Sequence, residues 1–297
     1  MSLRTSFPSS VAPVALHWMA ERTAAARDAG LDGLFVGDHH ATGPEPFFQN
    51  VPVLGRMLAE WDARPVGALF LLPLWHPVLM AEQVGTLAAM AQGRFVLLTS
   101  IGGGTTQFDA IGVSPAERVR RFEVGLDLVL RLLAGERVSD TTGTFPVESA
   151  QIAPTAEEVE VWIGASAPAG IDRAARLARG WIANAPLVPD DARRQVALYL
   201  ERCEVHQRIP ATVAIRRDVH VAERAADADA ELRRALASGY RGFPPEALVA
   251  GTVEQVAERF ADYAAMGYTE IVVRHFGADQ ATVLESLHLL GEVRSLL

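Results

Sequence analysis

The residues best able to carry chemistry sit just after the apolar runs of the chain. Val36-Gly37-Asp38-His39-His40 places one carboxylate and two imidazoles in succession. Histidine titrates near neutrality and an adjacent carboxylate can fix its tautomer, so Asp38 and His39 suit proton handling. A metal site is the rival reading. Consecutive residues of extended chain point to opposite sides, which keeps His39 and His40 from sharing one ion. Capping of a strand end by hydrogen bonds is the plainer alternative. Ser100-Ile101-Gly102-Gly103-Gly104 could let backbone approach a ligand closely, or could simply turn. Gly164-Ala165-Ser166-Ala167-Pro168 joins a β-rich run to an Ala-rich stretch, so free N–H groups would meet the positive end of a helix dipole. That arrangement suits a phosphate, although Ser166 as an ordinary N-cap accounts for the same residues without a ligand. Arg173, Arg176 and Arg179 recur every third residue beyond it, either as a solvated face or as a sheath for an anionic tail. Further on, Val213, Ile215, Val219 and Val221 share one side of an extended segment. Arg216, Asp218 and His220 fall on the other side, and Arg216 and Asp218 read as a mutual pair. Arg274 and His275 follow the final apolar run.

These groups need a scaffold that brings loop residues together. Short β-rich runs occur at 3–7, 34–36, 66–72, 95–99, 161–163, 181–182, 213–221 and 271–274. Between most of them lie stretches with apolar residues three and four apart: 14–29, 78–90, 117–133, 171–178, 192–206, 253–265 and 281–296. Pro13 and Pro77 suit first-turn positions, and Gly30, Gly93, Gly135, Gly180 and Gly267 suit left-handed caps. Thr252 with Gln255 reads as a capping box. Repeated strand–helix units imply a parallel α/β sheet, and eight of them favour a closed (β/α)8 TIM barrel over an open doubly wound sheet. The open sheet would also lead one to expect a Gly-rich fingerprint after the first strand, where the chain has Phe7-Pro8-Ser9-Ser10. Residues 138–151 and 239–251 resist the pattern and read as insertions on a single domain spanning 1–297. Chemistry on such a scaffold collects at the carboxyl ends of the strands.

Composition narrows the classes. The chain has 297 residues, 49% of them apolar, and a formal charge of −9, which disfavours nucleic acid or an anionic membrane as a partner. The single cysteine, Cys203, allows no internal disulfide and suits a buried, inert position. No apolar run is long enough to span a bilayer, and Pro8, Pro13 and His17 interrupt any leader-like stretch, so a cytoplasmic globular protein is expected. Lysine is absent from the chain, which removes Schiff-base chemistry and with it one kind of phosphate-binding barrel.

Five stretches together resemble the luciferase-like monooxygenase superfamily. They are 29–40 (AGLDGLFVGDHH), 76–95 (HPVLMAEQVGTLAAMAQGRF), 108–113 (FDAIGV) with Glu117-Arg118, 161–168 (VWIGASAP) leading to 178–181 (ARGW), and 267–274 (GYTEIVVR). The resemblance implies a (β/α)8 barrel with insertions, often a homodimer, with a flavin or deazaflavin ring at the carboxyl end of the strands. It places Asp38 and His39 beside the ring's reactive edge, with His39 as acid/base or as a stabiliser of reduced-cofactor charge. It places a non-proline cis peptide near Leu69-Phe70, backbone at Ser100 and Gly102 near the ring, and the cofactor phosphate on Gly164, Ala165, Ser166, Ala167 and Pro168. No metal is implied. The main activity implied is monooxygenation with reduced FMN, supplied by a flavin reductase, and O2 on a small organic substrate. Hydride transfer with coenzyme F420 is the enzymatic alternative, and a non-catalytic flavin-binding protein is the alternative outside enzymology. The chain departs from the pattern in two loops. The loop after strand four lacks the Glu that donates a proton in some deazaflavin dehydrogenases, and Ala41-Thr42-Gly43-Pro44 replaces an aromatic after the strand-two histidine. Both departures count against sugar-phosphate or alcohol dehydrogenation.

Overall fold

Runs of β-branched and aromatic residues become strands, and the Ala-rich stretches between them become helices, as their periods favour. The computed structural model describes every residue except Ala63. In chain order its elements are β1 (Ser2–Leu3), α1 (Ala12–Asp28), β2 (Leu34–Val36), α2 (Asn50–Met57), β3 (Val66–Leu71), α3 (Pro77–Ala91), β4 (Phe95–Ser100), α4 (Thr106–Ile111) and α5 (Arg118–Leu133). There follow β5 (Glu160–Gly164), α6 (Pro168–Leu177), β6 (Gly180–Ala183), α7 (Pro189–Val205), β7 (Thr212–Val221), α8 (Ala225–Ala237), β8 (Leu248–Gly251), α9 (Val253–Met266), β9 (Glu270–His275) and α10 (Gln280–Ser295). No helix among the described residues is long and apolar enough to cross a membrane.

The described residues group into two compact units, one of Met1–Arg4, His17–Leu34 and Trp162–Leu297, the other of Thr5–Leu16 and Phe35–Val161. In the second unit β3 and β4 pair in parallel, from Val66 against Phe95 to Leu71 against Ser100. The expected cis peptide at Leu69-Phe70 is not found; the cis bonds are Gly43-Pro44 and Ala153-Pro154. Leu69 and Phe70 lie within this ladder, opposite Leu98 and Thr99, and continuous pairing demands extended trans backbone through both. The first strand is also shorter than expected. Ser6 instead makes an antiparallel bridge with Phe47, and Phe48 N–H donates to the Thr5 carbonyl at 2.9 Å.

In the first unit β7 is the organising strand. Its start pairs with β6 (Gly180 to Thr212), its middle with β9 (Asp218 to Arg274), and its end with β8 (Val221 to Gly251), all in parallel. The eight strands read from the sequence are present, and β8 is a ninth, formed inside the insertion at 239–251. Its β-rich Leu248-Val249 had only a short apolar run to announce it. Three helices, α2, α4 and α8, were also not anticipated. The capping box at Thr252 is formed, with Thr252 N–H donating to Gln255 Oε1 at 3.0 Å. Gly30, Gly135 and Gly267 take the left-handed cap positions. Gly93 and Gly180 do not. Gln92 caps α3 at φ 53°, and Gly180 lies in β6, where a Cβ would meet the Trp162 ring at 2.5 Å. Cys203 is a buried free thiol whose pKa burial raises.

His275 belongs to this frame. It is buried on β9, and its Nε2 is 3.0 Å from Ser286 Oγ on α10, whose hydroxyl also accepts from Val221 N–H at 2.8 Å. Burial, with help from the nearby Arg22 and His220, lowers its pKa to about 3. The imidazole is therefore neutral in the folded chain, while the unfolded chain takes up a proton near 6.5. Folding stability should fall as pH drops from about 6.5 toward 3, at up to about 1.4 kcal/mol per pH unit. Urea unfolding at stepped pH should show this slope in the wild type and a shallower one in His275→Gln; equal slopes would refute it.

Candidate active site

The loop after β2 is built around one carboxylate. Asp38 is fully buried, and its Oδ2 accepts from Leu71 N–H at 2.8 Å and from the Trp75 indole N–H at 2.9 Å. Its Oδ1 lies 3.2 Å from His40 Nε2. Two charge-assisted bonds thus fasten the loop to the end of β3, each stronger than a neutral bond of the same length. The sequence paired Asp38 with His39, but the structure pairs it with His40. His39 takes a different partner from His40. No group of three or more metal-ligating side chains occurs among the described residues.

His39 is exposed and is oriented by residues the sequence did not flag. Its Nδ1 is 3.3 Å from Gln107 Oε1, and that oxygen also accepts from His40 N–H at 2.8 Å. A backbone N–H can only donate, so the atom facing it is the amide oxygen, and this oxygen selects the Nδ1-protonated tautomer of His39. Nε2 is then left as a proton acceptor. Gln49 Nε2 donates to the His39 carbonyl at 3.0 Å, and the Phe47 ring meets the imidazole edge-on at 5.3 Å. The aromatic missing directly after the histidine is supplied by Phe47. Asn50, fully buried, donates to the Leu69 carbonyl at 2.7 Å, and Phe70 packs against Trp75 at 5.0 Å. Gln107, Gln49, Phe47, Asn50 and Trp75 are functional neighbours that lay in segments without periodicity. A lone tryptophan just past β3 was the one signal available.

Two further loops carry candidate residues. After β4, Gly102 and Gly104 have φ of 71° and 69°, the left-handed region that favours glycine, and Ser100 Oγ accepts from Gly102 N–H at 3.3 Å. This is the tight turn. In the first unit, β5 ends at Gly164 and the Ala165 carbonyl accepts from the Trp181 indole at 2.9 Å. Ala167, not Ser166, is the N-cap of α6, with Pro168 at its first position. Ser166 Oγ is buried with no hydrogen-bond partner. The capping explanation of Ser166 therefore fails, and an orphaned hydroxyl stands beside the first turn of a helix, where backbone N–H groups seek acceptors. Along α6 an open cavity of about 420 Å³ is lined by Pro168, Asp172, Arg173, Arg176 and Arg202 among others. On β7, Arg216 and Asp218 form the expected pair, with Arg216 Nη2 2.7 Å from Asp218 Oδ1.

Residues 1–246 match the family model described as luciferase-like monooxygenase. The chain belongs to that family. Among relatives, an F420-dependent glucose-6-phosphate dehydrogenase of Microbacterium testaceum is 31% identical over 56% of this chain and 52% of its own length. A 4-hydroxyprotoasukamycin monooxygenase of Streptomyces nodosus subsp. asukaensis is 30% identical over 41% of this chain and 34% of its own. The chain spans about half the length, or less, of these curated relatives. Among solved structures, monooxygenase RslO1 from Streptomyces bottropensis superposes with a TM-score of 0.82 at 18% identity, covering 98% of this chain and 97% of that one. The family fold is thus the α/β TIM barrel that the strand count suggested.

Asp38 should be the keystone of its loop. Asp38→Leu leaves the Leu71 and Trp75 N–H groups without an acceptor and should cost about 2–5 kcal/mol, with Asp38→Asn costing less. Adding Trp75→Phe to Asp38→Leu should cost less than the two single losses combined. Denaturant unfolding of the cycle tests this, and strict additivity would mean that the two groups do not interact.

Proposed function

We propose that the chain is an oxidoreductase that binds a deazaflavin of the coenzyme F420 kind and serves hydride transfer to or from a small organic substrate. The observation that carries the reading is the buried, partnerless Ser166 hydroxyl at the start of α6. A phosphate oxygen there would complete it and would also accept from the helix's first N–H groups. The cavity at Pro168, with three arginines against the one carboxylate of Asp172, favours a cofactor whose anionic tail extends beyond one phosphate, which moves the preference from FMN to F420. The activity of the F420-dependent relatives supports the same choice.

The residues that would hold such a cofactor's phosphate are Gly164, Ala165, Ser166, Ala167 and Pro168, and Arg173 and Arg176 would neutralise its tail. When bound, a deazaflavin supplies a two-electron hydride acceptor or donor and little tendency toward one-electron oxygen chemistry. The protein's own part is positional. Asp38 fixes the loop by three contacts, Gln107 sets the tautomer of His39, and His39 Nε2 accepts a substrate proton as hydride leaves or returns it in the reverse direction. Leu69 and Phe70 at the end of β3, with the Ser100 and Gly102 backbone, would supply the apolar wall for a planar ring. The sugar phosphate named for the relatives is not carried over, because the loop after β4 has no carboxylate to donate a proton.

Titration with F420, followed by its fluorescence, should show saturable binding tighter than that of FMN. Ser166→Ala should weaken F420 by about 10- to 100-fold, the worth of one hydrogen bond to a charged group. Preference for reduced FMN with O2 uptake on turnover would overturn the cofactor choice, and binding of neither cofactor would overturn the reading as a whole.

A further inference from the structure

One charged cluster of the first unit is not used by this reading. On β7 the odd residues face the helices: Arg217 lies over the Tyr263 ring of α9 at 4.4 Å and donates to the Ala185 carbonyl. On β9 His275 likewise reaches Ser286 of α10. Strand alternation therefore puts Arg216, Asp218 and Arg274 together on the opposite face, with Asp218 and Arg274 in direct register. Tyr240 and Arg241, from the segment after α8, join them there. Asp218 is fully buried and its acceptor positions are spent. Arg216 donates three bonds of 2.7–2.9 Å to its two oxygens, and the Tyr240 hydroxyl adds a fourth at 2.7 Å.

That carboxylate balances one arginine, and the cluster holds three. Among the described residues Arg274 has no hydrogen bond or ion pair, and its Nε is buried without a partner. Arg241 lies over the face of the Phe243 ring, at 5.2 Å. Its backbone sits at φ 50°, in the left-handed region between Gly239 and Gly242, a conformation that costs a non-glycine residue free energy. Burial, and then Arg216, lowers the pKa of Arg274 to about 9; the same two causes lower that of Arg241. Both shifts come first from loss of solvent and only then from the neighbouring Arg216. A strained backbone that adds a further cation to an already positive, partly dehydrated cluster is the design of an anion receptor, not of a structural ion pair.

We propose that Arg274 and Arg241, steadied by the Arg216–Asp218–Tyr240 group, form an oxyanion-binding site that takes a carboxylate or phosphate group carried by the substrate. Guanidinium forks match both groups bidentately. That the anion belongs to the substrate rests on the oxidoreductase reading; that the cluster binds an oxyanion does not.

The test uses the full chain without cofactor and two probes, sodium acetate and inorganic phosphate, against sodium chloride at matched ionic strength. At least one probe should raise the melting temperature of the wild type, and the more effective one identifies the group. Arg274→Gln and, separately, Arg241→Ala should weaken that probe by at least about tenfold. Ser166→Ala should leave the Arg274-dependent effect in place, which separates this site from the α6 loop. In the absence of any anion Arg274→Gln should melt higher than the wild type, since a buried unbalanced charge has been removed. The proposal is overturned if neither probe acts beyond chloride, if the arginine variants respond as the wild type does, or if saturating F420 displaces the probe, which would give the anion to the cofactor. Anion binding that depends on Arg274 in a chain that binds neither F420 nor FMN would uphold the site and refute the cofactor reading instead.

Discussion

A strand in a parallel sheet must send alternate side chains to opposite faces, and nearly every assignment made for this chain descends from that constraint. On β7 it separates a helix-facing set, in which Val213, Ile215, Val219 and Val221 are buried, from the set of Arg216, Asp218 and His220. Arg217 sits in the helix-facing set and is the exception that shows the strength of the rule. This charged residue at a helix-facing position stacks on Tyr263 and donates to the Ala185 carbonyl, while its Nε and Nη2 are buried without a partner. After β2, His39 and His40 take different partners, so two adjacent histidines serve different ends.

Buried carboxylates then fix what the strands leave loose. Asp38 and Asp218 are both fully buried, yet they do opposite work. Asp38 accepts from a backbone N–H and an indole N–H, neutral donors that do not cancel its charge, and its other oxygen lies 3.2 Å from His40 Nε2. It organises a loop and keeps a negative centre beside the imidazoles. Asp218 is saturated by a guanidinium and a phenol, so its charge is spent and the arginines around it set the local sign. Counting donors at each oxygen distinguishes the two roles where sequence alone would record the same residue type.

Legibility in the sequence follows the same division. Eight strands, seven helices, the Thr252 capping box and the Arg216–Asp218 pair were visible because each is encoded by spacing along one element. What was missed depends on chain that has no period. Phe47, Gln49 and Gln107 reach His39 from irregular segments, and the partner of Asp38 could not be chosen by adjacency, because both histidines are neighbours of it in sequence. Gly180 looked like a cap since it follows a helical pattern, but the approach of the Trp162 ring is a tertiary fact. The cis bond placed at Leu69-Phe70 was implied by resemblance, and the local ladder overrides it. Ser166 was singled out as a cap or a phosphate ligand, and only the structure shows that Ala167 caps α6 and that the serine hydroxyl is left over.

The orphaned Ser166 hydroxyl and the unpaired Arg274 guanidinium can be weighed by a common argument. Folding alone gives no reason to bury a polar group without a partner, and leaving one unsatisfied costs about 1–3 kcal/mol, more when it is charged. A chain whose net stability is a small difference of large contributions carries few such losses. Both losses here fall where an acceptor of negative charge would remove them, one at a helix start and the other among arginines short of a carboxylate. Asp218, the carboxylate beside Arg274, is already saturated by Arg216 and Tyr240. Other buried polar atoms also lack a partner, Tyr199 Oη and Tyr263 Oη among them, but at Ser166 and Arg274 the surroundings match an anion that the folded chain does not itself provide.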